Sequence, residues 1–234
     1  MRIASTTGET ACGLFAVIIM VSASWALAEE GAPPEEPRVL ALLDVHRFQS
    51  VEGPKSGPAV YYTVVEGGSE GALLRGDYRP GMESVEMGVE VPEALRQKVR
   101  FLRWRWRAHA FPEGGDECVP GKGDSAASVS VGFKRGLKWY VLKYAWSGVS
   151  PLGAVCDRKR TLFLARDTII LESGGETGEW LTETIDLKKA FRDHFEKGDP
   201  SAEVPNLMGL AVMSDGDQTH SPSGADFAGF ELLE

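Results

Sequence analysis

Apolar and polar side chains alternate along much of this chain, and the alternation is clearest in residues 101–110. The apolar positions of this segment are Leu102, Trp104, Trp106 and Ala108, and the polar positions are Arg103, Arg105, Arg107 and His109. Successive side chains of a β-strand point to opposite faces, so a period of two predicts a strand here. Its aromatic face is expected to pack in a core, and its cationic face is expected to meet solvent.

Comparable strand-like runs occur along the rest of the chain, and turn residues separate most of them. They cover residues 38–44, 60–65, 72–78, 84–91, 127–133, 138–146, 160–165, 168–172, 207–213 and 227–233. An Arg-Pro-Gly turn is predicted at residues 79–81. Many short strands punctuated by turns are typical of an all-β sandwich or barrel.

One short helix is predicted among the strands. Apolar and aromatic positions recur there at helical spacing, namely Leu187, Ala190, Phe191, His194 and Phe195. Asp186 is a plausible N-cap and Gly198 a plausible stop. The two phenylalanines are expected to pack across an open side of the sandwich. No internal repeat or linker is visible, so residues 38–234 are predicted to form a single domain.

The N-terminus resembles a secretory signal. Residues 14–21 are an apolar run, and Ala26-Leu27-Ala28 forms a small-x-small cleavage site. The alternative is an uncleaved membrane anchor, but a span needs about 20 apolar residues. Residues 1–28 are therefore predicted to be a signal peptide cleaved after Ala28, which implies a periplasmic or secreted protein without a stable membrane span. Residues 29–37, rich in Glu, Pro and Ala, are predicted to be a flexible leader.

Charge and cysteine content narrow the possible partners. The formal net charge is −9, which argues against nucleic acid as a partner. Cys118 and Cys156 remain after the signal segment, and in an oxidising compartment they could form one disulfide. Two free thiols are the alternative. No C-x-x-C pattern occurs, so neither a zinc knuckle nor a thioredoxin-type site is supported. The sequence does not indicate an oligomeric state.

Several segments in the second half of the chain resemble one known family. They are the Leu-Arg-Trp-Arg-Trp-Arg run at 102–107, residues 123–133, residues 140–146, Glu179-Trp180, and the Met-Ser-Asp-Gly-Asp-Gln-Thr run at 213–219. These segments are similar to the DUF3047 family of exported bacterial proteins of uncharacterised function. The resemblance implies a jelly-roll-like antiparallel β-sandwich, similar to carbohydrate-binding modules. Where the family commonly carries a double acid, this chain has only Asp124.

The strongest polar cluster is the loop at residues 214–220. Asp215 and Asp217 lie in a Gly-containing loop, and Asp226 follows shortly after. Carboxylate oxygens are ligands for Ca²⁺, which takes six to eight oxygens. A structural calcium held by these three aspartates is one hypothesis. The alternative is a solvated loop whose side chains bond nearby backbone N–H groups.

Aromatic residues are the second group of candidates for ligand binding. Trp104 and Trp106 share a face with Leu102 and are predicted to lie in the core. Trp139 and Trp146 fall on opposite faces of their strand, so one of them is expected to be exposed. Trp180 precedes the predicted helix. An exposed indole ring offers a flat surface on which a sugar ring can stack, so Trp139, Trp146 and Trp180 are candidates for ligand binding.

The basic stripe of residues 103–107 is a third candidate. Arg103 and Arg105 could bind an anionic polysaccharide, a phosphate-bearing wall polymer or a lipid headgroup, and Asp124 could bond sugar hydroxyls. The alternative is a solvated sheet face whose arginines pair across strands with carboxylates. Acidic residues on the segment that precedes this strand could supply the partners, namely Glu83, Glu86 and Glu90.

Catalytic patterns are sparse. The sequence contains no H-E-x-x-H, no Gly-x-Ser-x-Gly and no P-loop. Asp124 and Asp215 could cleave a glycoside only if the fold held them at a suitable separation. The leading hypothesis is therefore a noncatalytic module that binds a carbohydrate or a cell-envelope glycan. The alternatives are a polysaccharide-degrading enzyme and a structural envelope protein that binds another protein.

Overall fold

The computed structural model describes residues 36–51, 61–67 and 71–234. The predicted signal peptide and most of the predicted leader lie outside the described residues. The described residues form two β-sheets packed face to face, with one helix, α1 (Leu187–Phe195). The strands are β1 (Val39–Leu43), β2 (Gln49–Ser50), β3 (Tyr62–Val65), β4 (Leu73–Tyr78), β5 (Met87–Glu90), β6 (Phe101–Ala110), β7 (Ala127–Arg135), β8 (Lys138–Ser147), β9 (Val155–Arg160), β10 (Leu164–Ser173), β11 (Leu181–Asp186), β12 (Asn206–Met213) and β13 (Ser223–Leu233).

The six-stranded sheet has the order β11-β6-β13-β4-β3, and β1 also pairs with β13. All of its pairings are antiparallel. The alternation in β6 is the one predicted, because Trp104 and Trp106 are both fully buried between the sheets. The arginines of β6 lie on the outer face, where β11 and β13 flank them.

The seven-stranded sheet has the order β2-β5-β12-β7-β8-β10-β9. Its pairings are antiparallel except that β10 runs parallel to β8. After β8 the chain crosses over to form the edge strand β9, and β10 then returns between β9 and β8. The chain is therefore a jelly-roll-like β-sandwich with one short helix, as predicted, with a single parallel pair inside an otherwise antiparallel sheet.

The helix occupies the predicted position. Its N-cap is Asp186, whose carboxylate accepts a hydrogen bond of 2.9 Å from the backbone N–H of Lys189. Phe191 is fully buried and its ring meets those of Phe133 and Tyr140. The aromatic face of α1 thus closes one side of the sandwich.

The segment around β9 differs from the prediction in two respects. The predicted strand at 160–165 is a turn at residues 161–163 that joins the end of β9 to the start of β10. Cys156 lies on β9 rather than in a loop, and it is disulfide-bonded to Cys118 with a Cα–Cα distance of 4.8 Å. The bond ties the long loop before β7 to the edge of the seven-stranded sheet. Among the described residues no helix has both the length and the apolar character of a membrane span.

Candidate functional site

A groove runs across the outer face of the seven-stranded sheet, the face turned away from the core. Its floor consists of small residues on neighbouring strands, namely Gly88, Ser130, Gly132, Gly209 and Ala211. Small residues leave the sheet backbone uncovered, so a depression forms where larger side chains would fill the surface. A second cavity continues the first, and the two share Glu86, Ser130 and Val141.

The apolar half of the groove has a volume of about 430 Å³ and includes Trp139. The Trp139 side chain points outward because Tyr140 and Leu142, its neighbours of opposite parity on β8, point toward the core. Its ring lies near the backbone of Gly132, where an added Cβ would be 3.5 Å from the ring. Trp139 is 39% exposed, and the Lys134 ammonium lies 5.0 Å from its ring centre.

The polar half has a volume of about 580 Å³ and carries charges of both signs. Its charged lining residues are Glu86, Glu117, Lys143, Asp157, Lys159, Arg166 and Asp215. Lys143 Nζ lies 2.7 Å from Glu117 Oε1, and both side chains are nearly buried. Burial alone would lower the pKa of Lys143, but attraction to Glu117 gives a net upward shift, so Lys143 carries its positive charge.

Asp215 lies at the inner end of the polar half and is 5% exposed. Burial is the main reason that its pKa rises to about 6, and repulsion from Asp217 and Asp124 adds to the shift. The hydroxyl of Ser84 donates a hydrogen bond of 2.5 Å to Asp215 Oδ1, and this bond favours the carboxylate. The pKa therefore lies well above that of an exposed aspartate.

Asp124 organises the loop at residues 215–219 and does not line the groove. It is fully buried and accepts hydrogen bonds from the backbone N–H groups of Gln218 at 3.3 Å and Thr219 at 2.7 Å. The Thr219 hydroxyl donates a third bond of 2.6 Å. Asp124 is close to Asp215, but its carboxylate faces the 215–219 loop and is not among the residues that line the groove.

The carboxylates that lie close enough to hold a calcium ion differ from the predicted set in one residue. Carboxylate oxygens of Asp124, Asp215 and Asp217 lie within 4.8 Å of one another, so these three residues could hold a hard cation. Asp226 was predicted as a ligand, and this prediction is wrong. It belongs to β13 in the other sheet, where Arg75 and Arg107 bond its carboxylate. Although Asp226 follows Asp217 by only nine positions, the two side chains do not share a site, because the chain passes from one sheet to the other between them.

One of Trp139 and Trp146 was predicted to be exposed, and the structure exposes Trp139, so Trp146 is not available as a ligand platform. Only 2% of its surface is exposed. Its ring packs against Trp106 and Phe111, and its Nε1 donates a hydrogen bond of 2.8 Å to the carbonyl of Gly174. Because alternate residues of β8 face opposite ways, burial of Trp146 accompanies exposure of Trp139.

The remaining predicted residues lie on the outer face of the six-stranded sheet, far in the fold from the groove. Arg103 bonds Glu231 at 3.0 Å across the β6–β13 pair. The guanidinium carbons of Arg105 and Arg107 lie 5.2 and 4.8 Å from the ring centre of Trp180, which is half-buried. Trp139 therefore does not share a site with Trp180, Arg103 or Arg105.

Two of the three carboxylates predicted to pair with this basic stripe belong to the opposite sheet. Glu86 and Glu90 lie beside or within β5, and β5 belongs to the seven-stranded sheet. The chain crosses to the opposite sheet between β5 and β6, so strands that are adjacent in sequence do not pair. The carboxylates next to the arginines come from β13 instead, which the sequence order does not reveal.

Glu117, Lys143 and Arg166 were not identified from the sequence, although all three line the polar half. One signal for Lys143 was present, because a lysine at an otherwise apolar stretch of a strand needs a partner when buried. Nothing in the sequence indicated Glu117, since a loop residue 26 positions away provides the partner.

Comparisons with known proteins give distant structural likenesses. A family 11 carbohydrate-binding module of a cellulosomal cellulase of Clostridium thermocellum aligns at 12% identity and a TM-score of 0.39, over 80% of this chain and 85% of that one. The catalytic domain of Cel12A of Humicola grisea aligns at 9% identity and a TM-score of 0.42, over 85% and 97%. The xyloglucanase domain of NopAA from Sinorhizobium fredii aligns at 11% identity and a TM-score of 0.40, over 83% and 97%. With TM-scores below 0.5, these likenesses do not bear on ligand or activity.

No curated protein sequence matches this chain. The sequence model of one family, described as Protein of unknown function (DUF3047), matches residues 83–231. This match spans more than half of the chain and includes Trp139, Glu117, Lys143 and Asp215 of the groove. The resemblance found in the sequence is confirmed, and the chain belongs to the DUF3047 family.

Proposed function

We propose that this protein binds a glycan in the groove on the outer face of the seven-stranded sheet. The observation that carries the proposal is the continuity between an exposed tryptophan ring and a cavity lined with fixed charges. Sugar rings combine apolar C–H faces with hydroxyl groups, so a binding site needs an aromatic surface beside convergent polar groups. Trp139 supplies the aromatic surface, and the pair Lys143–Glu117 supplies the polar groups.

The polar groups are held before any ligand arrives. Lys143 and Glu117 bond each other, and Asp157 bonds Arg166. Side chains held by such pairs lose little conformational freedom on binding, which favours affinity. Carboxylates accept hydrogen bonds from hydroxyls, and the ammonium and guanidinium groups donate to them, so the groove matches a polyhydroxylated ligand.

Binding without turnover is the form of the function that we propose. The carboxyl pair considered as an alternative from the sequence, Asp124 and Asp215, does not flank the groove, because Asp124 is fully buried and its oxygens accept three hydrogen bonds. Glycoside hydrolysis uses two carboxyl groups on either side of the scissile bond. Incubation with any bound glycan, followed by product analysis, tests this point directly.

A divalent cation at Asp124, Asp215 and Asp217 is a further part of the proposal. Asp124 accepts three hydrogen bonds, and an ionised carboxylate offers about four acceptor positions. A cation would offset the repulsion among the three carboxylates and would fix the loop beside the polar half. The cation is proposed to be structural, as calcium is in many loops of this kind.

Export to the periplasm or the medium is proposed as well. The signal-like residues 1–28 support it, and so does the disulfide between Cys118 and Cys156, since disulfides persist in oxidising compartments. A glycan of the cell envelope would then be accessible to the groove.

The experiment is glycan-array binding by the purified protein, followed by titration of each hit with two matched tryptophan variants. Trp139→Ala should weaken binding by about tenfold or more, as truncation of an aromatic anchor does. Trp180→Ala removes an indole from the opposite sheet and should leave binding unchanged. Equal affinity for the wild type and Trp139→Ala would show that the groove is not the binding site.

A further inference from the structure

We propose that two turns at one end of the seven-stranded sheet dock onto an anionic lipid surface. The turns are residues 136–137, between β7 and β8, and residues 161–163, between β9 and β10. We name them, with the basic residues of their flanking strands, the two-turn surface. One member of this surface, Lys159, also lines the polar half of the groove. The apolar tips lie outside the groove, and the inference does not depend on the proposed glycan function.

Strand topology places the two turns side by side. β8 and β10 are parallel and paired, with Leu164 opposite Trp139. The backbone N–H of Trp139 donates a hydrogen bond of 2.8 Å to the carbonyl of Phe163. Since both turns precede the first residues of parallel neighbouring strands, they project from the same end of the sheet.

The turns display large apolar side chains. Leu137 is 80% exposed, Leu162 is 77% exposed and Phe163 is 57% exposed. Solvent contact of this extent is unfavourable for aliphatic and aromatic groups, and grouped exposure marks an interaction surface. Three such side chains on adjacent turn tips therefore indicate a contact made outside the folded chain.

The tips are held in their exposed positions by the backbone. Gly136 adopts φ +60°, a conformation that suits the first position of a tight hairpin turn. In the other turn the N–H of Leu164 donates to Thr161 Oγ1 at 2.9 Å, and the N–H of Thr161 donates to the Leu164 carbonyl at 2.7 Å. The side chains of Leu137 and Leu162 are therefore presented outward by preformed turns.

Basic residues surround these tips in a protein whose net charge is −9. They are Lys134, Arg135, Lys138, Arg158, Lys159 and Arg160. Neighbouring acids are already paired with arginines, because Glu196 bonds Arg135 and Asp167 bonds Arg160. Arg158 and Lys159 make no ion pair within the part of the chain that the structure describes. A local excess of positive charge thus lies behind the apolar tips.

An anionic bilayer matches both features at once. Apolar side chains at the tips enter the boundary between headgroups and acyl chains, and the cations behind them meet the lipid phosphates. A soluble acidic polymer would use the cations but would leave Leu137, Leu162 and Phe163 in water. The combination of both features is the reason to propose a lipid surface as the partner.

The test is co-sedimentation of the protein with vesicles of phosphatidylglycerol and phosphatidylethanolamine, compared with vesicles of phosphatidylcholine alone. The variant Leu137→Ser/Leu162→Ser/Phe163→Ser should bind the anionic vesicles about tenfold more weakly or worse. Arg158→Gln/Lys159→Gln should lose about 30-fold on anionic vesicles and little on neutral ones, since each basic residue near the surface contributes separately. All five positions are exposed, so these variants are expected to fold.

A matched control comes from the other end of the sheet. Val149 and Leu152 follow β8 and are 65% and 67% exposed. Val149→Ser/Leu152→Ser should bind vesicles like the wild type. The apolar residues 14–21, where retained, are common to all variants, so differences between variants report the two-turn surface alone.

Wild-type vesicle binding by the triple serine variant would overturn the proposal. So would binding of a soluble polyanion such as heparin, abolished by Arg158→Gln/Lys159→Gln, in a protein that does not sediment with vesicles. In that case the cations would serve a soluble acidic polymer. A blue shift of tryptophan emission on anionic vesicles, lost in Trp139→Phe, gives an independent signal from the strand next to the turns.

Discussion

Arg75 on β4 and Asp226 on β13 form a two-point ion pair, with Nε 2.7 Å from Oδ1 and Nη2 2.9 Å from Oδ2. Arg107 on β6 approaches the same carboxylate from the other side, with Nη2 2.7 Å from Oδ2. Asp226 thus connects three neighbouring strands through a fully buried carboxylate. Burial would raise its pKa, but the bonds from Arg75, His109 and Arg107 outweigh burial and hold the pKa well below its usual range.

Asp226→Asn is expected to destabilise the protein by about 2 kcal/mol, somewhat less than for a fully buried pair because Arg75 is partly solvated. A lowered carboxyl pKa contributes stability above the unfolded pKa, near pH 4, and this contribution disappears as the pH falls further. The variant should therefore lose less stability than the wild type between pH 5 and pH 2. Urea denaturation across this range measures both effects, and Asp77→Asn, in an exposed pair with Arg79, serves as the control.

Glu183→Gln is expected to stabilise the protein at high pH. Burial is the main cause that raises the pKa of Glu183 to about 7, and repulsion from Glu172 adds to it. Trp106 Nε1 donates to Glu183 Oε1 at 3.2 Å, and a glutamine carbonyl can accept the same bond. A folded-state pKa above the unfolded value means that stability falls as the pH rises from about 4 to about 7.

At pH 8 the free energy of unfolding of Glu183→Gln should exceed that of the wild type by about 1 kcal/mol. Solvent screening at this half-exposed position keeps the difference below what the pKa shift alone would give. Near pH 4 the variant and the wild type should be equally stable. Thermal denaturation at both pH values measures the difference, and Glu179→Gln in the exposed preceding loop is the control. A pH-independent difference between Glu183→Gln and the wild type would contradict the assignment.

Gly209→Ala and Gly132→Ala should differ although both glycines belong to the groove floor. A Cβ at Gly209 would lie 2.7 Å from the backbone carbonyl oxygen of Val89, and a strand pairing would have to move. A Cβ at Gly132 would make an ordinary contact of 3.5 Å with the Trp139 ring. We expect Gly209→Ala to cost about 2 kcal/mol. Gly132→Ala should change stability by less than about 0.5 kcal/mol. Equal urea midpoints for the two variants would be inconsistent with this packing.

Removal of the disulfide should lower the free energy of unfolding by about 3–4 kcal/mol, because the bond closes a loop with a sequence separation of 38 residues. Cys118 and the β9 residue Asp157 both line the polar half of the groove, so glycan affinity should fall together with stability. Cys118→Ser/Cys156→Ser tests this, with thermal denaturation and glycan titration as readouts. Reducing agent should lower the Tm of the wild type and leave that of the double variant unchanged.

Calcium should raise the Tm of the protein, and a chelator should reverse the change. A cation bound only by the folded state adds about 2.7 kcal/mol at a concentration about 100 times its Kd. Asp217→Asn should abolish the calcium response at little cost in basal stability, since Asp217 is the exposed member of the cluster. Glu176→Gln, also exposed but outside the cluster, is the control. A calcium-independent Tm in the wild type would remove the cation from the proposal.

The sequence predicted the local structure well where side-chain periodicity alone decides it. The alternation in β6 placed Trp104 and Trp106 in the core, and Asp186 marked the start of α1, as the structure confirms. Periodicity in β8 separated Trp139 from Trp146, but it could not say which face the other sheet would cover. That choice depends on sheet packing, which buries Trp146 against Trp106.

The sequence by itself determined most of the strands, the short helix and the aromatic composition of the core, because each follows from side-chain spacing within a short segment. It did not indicate β9 or β11, and the family was identified from its motifs. Only the tertiary structure decided which side chains meet. It separated Asp226, on β13 of the six-stranded sheet, from Asp215, in the loop after β12 of the other sheet, and it joined Glu117 to Lys143 across 26 positions. Strand order arises from the packing of the whole chain, so neither the groove nor the two-turn surface is visible in local periodicity.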